Sequence, residues 1–278
     1  MPASGGIIPN NIRQGYRAEY LAKYIISEFG PCERINPEND YGLDLIATIM
    51  QPAGSMGTVS SMYGIQVKSG KAEFSYSGDQ LFDWIKSYSI PILMCRANRE
   101  AGSVRLYSTW TLHDLVLGHS DASIRQISFI EQPESNDNLR MPEVKDQSAT
   151  VWLGKPIVEI SAEELHRKEF VTEIRKTLAE WIGFDTENYF RRSAGIPIIF
   201  GYLTWQVNQS LDASRRLYVK PHYFGSERTR KALTLIQDCA AVIAFHQGLG
   251  SDLTKDLAIF VKKHGVEIPD FTKHALGI

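Results

Sequence analysis

The chain is poor in cysteine and in long apolar runs, and it carries no strong charge of either sign. Its three cysteines, Cys32, Cys95 and Cys239, lie far apart and form no C-x-x-C pair. That argues against a zinc ribbon or a disulfide scaffold and makes a reducing cytoplasm the expected location. Each cysteine reads as a small buried hydrophobe. No stretch approaches the roughly 18 apolar residues of a membrane span, and Ile196 to Leu203 is far too short for one. The opening residues, MPASGGIIPNN, hold neither a basic region nor an apolar core, so no signal peptide is expected. The 30 basic and 32 acidic side chains leave a formal net charge of -2, which excludes a broadly basic coat for nucleic acid. Several catalytic patterns are missing too. The seven histidines show no H-E-x-x-H or zinc-finger spacing, and His113, His119, His264 and His274 read as surface or packing residues. Gly54-Ser55-Met56-Gly57 does not run on into the Lys-Ser/Thr of a phosphate-binding loop, and neither Ser61 nor Ser69 sits in a G-x-S-x-G turn.

What is present is a soluble globular pattern of 278 residues, 43% of them hydrophobic. Asn10 or Asn11 can cap a first helix to about Phe29, with Leu21, Ala22, Ile25 and Ile26 at helical spacing and Gly30-Pro31 as its stop. Gly42 to Met50 reads as a strand, Pro52 to Ser61 as a Gly/Ser turn region, and Tyr63 to Ser69 as a second strand. A strand at Phe74 to Tyr76, a short helix from Asp79 to Ser87, strands at Ile90 to Cys95 and Val104 to Ser108, and a helix from Trp110 to Leu117 complete an α/β unit on a mixed sheet. Glu131 to Thr150, rich in Pro, Asn, Asp and Ser, reads as a long loop or linker. Trp152 to Ile160 holds one more strand. Ser161, with Glu164 three residues on, reads as a capping box for a helix to about Ile182. Helices over Arg228 to Gln247 and Ser251 to His264 follow. The expected division is 1–150 for the α/β unit and 151–278 for a mostly helical part.

One constellation carries chemistry. Asp44 lies in or at the start of a strand. Gln66 and Lys68 are two apart on another strand, so their side chains share a face while Val67 points the other way. Glu19 sits on the preceding helix. Phosphodiester hydrolysis uses these residue types, because a hard divalent ion such as Mg²⁺ or Mn²⁺ takes oxygen ligands and a lysine can stabilise charge developing on the phosphate. In this reading Asp44 is the primary metal ligand and Gln66 a weaker one through its side-chain oxygen. The Val67 carbonyl adds a third oxygen, and Lys68 is the catalytic cation. Glu19 is either an accessory ligand or the group that activates the water. Lys71, Arg96 and Arg99 are candidate contacts to a phosphate backbone.

Tyr41-Gly42-Leu43-Asp44 followed by Gly64-Ile65-Gln66-Val67-Lys68-Ser69 resembles the PD-(D/E)XK nuclease superfamily, in particular the branch of Mrr-like restriction endonucleases in which glutamine replaces the acid of the final motif. Gly15-Tyr16-Arg17-Ala18-Glu19, Trp84 and Pro91-Ile92-Leu93-Met94 are also similar to that branch, so the resemblance spans about residues 11 to 110. It implies a restriction-endonuclease-like mixed sheet flanked by helices, with Asp44 as metal-binding aspartate, Gln66 in place of the acidic ligand, Lys68 as motif lysine and Glu19 as helix glutamate. The implied activity is cleavage of nucleic acid, in restriction or defence against phage. The rival expectation is a catalytically inactive nucleic-acid-binding or scaffold subunit of a defence complex, a reading that Gln66 favours.

The charge is unevenly spread. Residues 1–150 carry 13 basic and 17 acidic side chains, and residues 151–278 carry 17 and 15. Arg191-Arg192, Arg215-Arg216 with Lys220, and Arg228-Arg230-Lys231, interleaved with Tyr189, Tyr218 and Tyr223, form a candidate surface for the nucleic acid backbone. Double-stranded DNA is the expected partner. Cutting both strands makes a homodimer the expected assembly.

Overall fold

Helix α1 (Asn10–Ile26) is amphipathic, and its Ala18, Ala22, Ile25 and Ile26 are buried. The computed structural model describes residues 10–36, 42–53, 56–119, 123–132, 140–194, 199–200, 205–209, 218–219 and 252–263. After α1 the chain turns through Phe29 to Gly30, where a Cβ would lie 2.1 Å from the Thr48 carbonyl oxygen. Only glycine fits that approach. Strand β1 (Cys32–Arg34) then pairs antiparallel with β2 (Leu45–Ala53), and β2 with β3 (Met56–Ser69).

The β2–β3 hairpin corrects one expectation. Pro52 to Ser61 is ladder rather than turn, with Met50 opposite Val59, Gln51 opposite Thr58 and Ala53 opposite Met56. Cross-strand pairing overrides the turn-like composition, and β-branched Thr58 and Val59 suit it. Gly57 helps, since the Met50 methyl lies 2.4 Å from where a Cβ would be.

Strand β4 (Phe74–Ser77), helix α2 (Leu81–Ser87), β5 (Ile92–Asn98), β6 (Ser103–Ser108) and helix α3 (Leu112–Gly118) follow the sequence expectation closely. Strands β7 (Gln126–Glu131), β8 (Glu143–Lys145), β9 (Ser148–Gly154) and β10 (Val158–Ser161) come next. Part of the expected loop from Glu131 to Thr150 is therefore strand. Its polar residues occupy the exposed face, while Ala149, Val151 and Leu153 alternate inward and are at most 2% exposed. Ser161 accepts a hydrogen bond from the Glu163 amide at 3.3 Å, but it caps only a 3-10 turn, Ala162–His166. The long helix α4 starts afterwards and runs from Lys168 to Ala194, beyond the expected end at Ile182. Helix α5 (Asp252–Lys263) matches its expectation, whereas the helix expected over Arg228 to Gln247 lies outside the described residues.

Two sheets result. The larger has the order β1-β2-β3-β5-β6-β10, with β3 and β5 parallel and every other neighbour antiparallel. The smaller has the order β4-β7-β9-β8. One core joins Ile92, Met94 and Tyr107 of the first sheet to Phe74, Ile127, Phe129 and Val151 of the second, with α2 and α3 contributing Phe82, Ile85, Leu112 and Leu115. Leu45, Ile65, Leu93 and Cys95 are buried on the opposite face of the first sheet, over which α1 packs. Residues 205–209 finish the sheet at β10. Asn208 accepts from the Glu159 amide at 2.7 Å and donates to the Glu159 carbonyl at 3.0 Å, which satisfies the exposed edge.

The fold is thus mixed α/β, with sheets flanked by helices and a helical C-terminal region. Residues 1–189 with 199–218 form one compact unit, and 190–198 with 219–278 a second. The division expected at residue 150 falls inside β9. No described helix is long and apolar enough to cross a membrane.

Candidate metal and phosphate site

Asp44 is held by its neighbours before its side chain is considered. Gly42 takes φ +74, and a Cβ there would meet the Tyr76 ring at 2.6 Å and the Trp84 ring at 3.0 Å. The Tyr76 hydroxyl donates to the Gly42 carbonyl at 2.7 Å, and the two rings lie 5.3 Å apart. Leu43 then fills the space left by the missing side chain of Gly64, whose Cβ would be 2.5 Å from it. The Asp44 amide donates to the Ile65 carbonyl at 2.9 Å, and the Asp44 carbonyl accepts from the Ile35 amide at 3.0 Å. These contacts give Gly42, Leu43 and Gly64 a shared role, which is to fix the backbone that presents Asp44.

The Asp44 carboxylate accepts the Val67 amide at 2.6 Å. The last β2–β3 pair is Leu45 with Ile65, so Asp44 sits opposite Gln66, just past the end of the ladder. A strand residue sends its N–H and C=O to the same side. The Val67 carbonyl therefore points into the notch that Asp44 occupies. Gln66 is buried at 7% exposure, and its Oε1 has no hydrogen-bond partner. Such an orphaned acceptor costs about 1–3 kcal/mol, and a bound cation is one partner that would satisfy it. Lys68 is half-buried and its ammonium makes no ion pair or hydrogen bond among the described residues. Asp44, Gln66, Val67 and Lys68 are thus brought together.

Glu19 goes elsewhere. Its Oε2 accepts from Arg34 Nε at 2.9 Å and from the same guanidinium's Nη2 at 2.5 Å, while the Tyr16 and Tyr20 rings stack on Arg34 at 5.0 and 4.7 Å. Arg34 pairs with Leu45, and Leu45 with Ile65. Directly opposed residues share a face, so Arg34 and Glu19 stand on the α1 side while Gln66 and Lys68 project from the other. The partner of Glu19 was not visible in the helix alone; it depends on the register of β1.

The two described thiols, Cys32 and Cys95, are buried. Burial pushes Cys32 up to about 11, and burial together with the nearby Asp44 charge raises Cys95 further. Among the described residues no three His, Cys, Asp or Glu side chains gather. A metal here would therefore draw on the Asp44 carboxylate, the Gln66 amide oxygen and the Val67 carbonyl. Those hard oxygens suit magnesium or manganese, and the orphaned Gln66 Oε1 fits such a ligand role.

This gives a stability test. Gln66→Glu buries a second carboxylate beside Asp44, so without metal its Tm is expected to fall by several degrees. Saturating Mg²⁺ or Mn²⁺ should restore it, since a ligand at about 100 times its Kd adds ~2.7 kcal/mol. A differential scan with EDTA and with metal reads the difference. Equal Tm values in the two conditions would sink the assignment of Gln66 as a ligand position.

Compared with known proteins, the chain matches no protein-family model, no curated protein and no solved structure.

Proposed function

We propose that the chain is a metal-dependent endonuclease of PD-(D/E)XK type, built on a restriction-endonuclease-like core and hydrolysing phosphodiester bonds of double-stranded DNA. The observation that carries this is the seat of Asp44 on the Val67 amide, opposite Gln66, whose buried oxygen has no partner, with Lys68 on the same face and without a partner among the described residues. A bound Mg²⁺ or Mn²⁺ would supply a polarised phosphate and a more acidic water. Asp44, Gln66 and the Val67 carbonyl would hold it. Lys68 places its ammonium beside the reacting phosphate and stabilises the negative charge that grows on the non-bridging oxygens. The attacking water gives up a proton to bulk solvent as its oxygen bonds to phosphorus, the opposite P–O bond breaks, and the leaving oxygen takes up a proton from solvent. Glu19 remains with Arg34 and supports the β1 edge. Cleavage of both strands calls for two such sites, which a homodimer would supply, and defence against foreign DNA is the setting the resemblance implies.

A specific observation favours the second reading, a silent DNA-binding or scaffold subunit. With Glu19 engaged by Arg34 and an amide at position 66, one carboxylate is left in the notch. Plasmid cleavage with Mg²⁺ or Mn²⁺ separates the two. Cleavage by the wild type that is lost in Asp44→Asn and Lys68→Ala supports hydrolysis. Equal cleavage by all three proteins would mean a different site or a contaminant, and binding without cleavage would select the silent subunit.

A further inference from the structure

We infer that the cleft beyond the C-terminal end of β3 receives the phosphate backbone of the DNA as it leaves the Gln66–Lys68 face. The inference deepens the nuclease proposal and shares its substrate class. The cavity measures about 580 Å³ and its lining includes Ser69, Lys71, Arg96, Arg99, Arg105 and Glu159. It opens one residue past Lys68. Register places it there: Lys68 pairs with Arg96, Arg96 with Arg105, and Arg105 with Glu159. Opposed residues share a face, so Lys68 and the two arginines form a row on the side from which Gln66 projects.

The cations of this row differ in what they are free to do. Arg96 Nε donates to Glu131 at 2.7 Å, its Nη1 to the Ala72 carbonyl at 2.5 Å, and the guanidinium lies 4.3 Å over the Phe74 ring. Arg105 Nε is 3.1 Å from Glu159. These two arginines are walls. Lys71 and Arg99 are exposed and have no partner among the described residues, and Lys68 beside them has none either.

Both exposed cations stand on fixed turns. Lys71 follows Gly70, which takes φ +57. Arg99 sits in the β5–β6 turn, where Asn98 Oδ1 accepts the Glu100 and Ala101 amides at 3.1 and 3.2 Å and Gly102 takes φ +60. The lining holds four cations against Glu100 and Glu159, in a chain whose net charge is -2. A concave, locally positive path that starts at a proposed hydrolytic lysine suits a polyanion whose charges repeat along its length.

The test is anisotropy with a short labelled duplex DNA in EDTA, where no turnover occurs. The cleft variant is Lys71→Gln/Arg99→Gln. Its control is Lys145→Gln/Lys168→Gln, the same change in net charge at exposed positions outside the cleft. At about 100 mM salt the cleft variant should bind about tenfold more weakly, and the slope of log K against log salt should fall by about 2, with the control near wild type. Equal losses in both pairs, no loss in the cleft pair, or no binding by the wild type would overturn the inference. Plasmid cleavage run alongside keeps the two proposals apart. Wild-type cleavage with unchanged binding in the cleft variant overturns the cleft alone. Binding that depends on the cleft without any cleavage overturns hydrolysis alone.

Discussion

Lys68→Ala is expected to lower the rate of plasmid cleavage by about 10²–10³, with little change in stability. The magnitude follows from its position. Lys68 is half-buried on the face it shares with Gln66 and has no ion-pair partner among the described residues, so its charge is not already neutralised by the protein when charge develops on the phosphate. Because Lys68 makes no hydrogen bond among the described residues, its removal breaks no contact there, and thermal unfolding should be close to wild type. Asp44 needs a more careful substitution. Asp44→Ala also strips the acceptor from the buried Val67 amide, at a cost of about 1–3 kcal/mol, which would confuse lost folding with lost chemistry. Asp44→Asn keeps an oxygen for that amide and removes the charge, so a loss of cleavage at unchanged Tm reads the carboxylate itself. The rate should fall in kcat more than in KM, because the interactions removed strengthen only as the reaction proceeds. A Lys68→Ala protein that cleaves at the wild-type rate would refute the assignment.

Much of this site could be read from local pattern because its parts obey strand alternation. Gln66 and Lys68 share a face by spacing, and one register, Leu45 with Ile65, is enough to bring Asp44 opposite Gln66. Gly42, Leu43 and Gly64 were parts of the motif as read, and the structure supplies their physical reason in the aromatic clamp of Tyr76 and Trp84 and in the fit of Leu43 over Gly64. Three things were not legible. The hairpin from Leu45 to Ser69 has turn-like composition in its middle, and only the partner strand shows that Thr58 and Val59 are paired. The second sheet hides its apolar residues on one face of short, polar strands. Glu19 has helical neighbours that say which side is buried but not which cation waits across the gap. Its pairing with Arg34 depends on where β1 enters the sheet. His113 is the same kind of case. It reads as a surface or packing residue, but it is buried and its partner Asp185 lies 72 residues further on, beyond any periodic signal.

That buried pair yields the largest stability effect. Asp185→Ala is expected to destabilise the protein by about 3–5 kcal/mol. His113 Nε2 lies 2.7 Å from Asp185 Oδ1, and the two side chains are 1% and 2% exposed. The pair ties α3 to α4, with the Tyr189 ring 4.4 Å from the imidazole and Trp110 packed on Phe184 at 5.9 Å. Neither group is fully satisfied, because His113 Nδ1 and Asp185 Oδ2 have no partner. Two polar groups in this setting gain their standing only from each other. Taking away the carboxylate leaves an imidazole N–H buried without an acceptor, and taking away the imidazole leaves a buried carboxylate without a donor. The double substitution His113→Leu/Asp185→Leu removes both and fills the space with apolar atoms, so it should be much less harmful than the sum of His113→Leu and Asp185→Leu. Urea unfolding of the wild type, the two single leucine variants and the double variant completes the cycle. The expected result is a large coupling free energy, seen as shifts in midpoint with unchanged m-values. Additive losses, or a single substitution costing under about 1 kcal/mol, would show that the pair is not what holds α3 against α4.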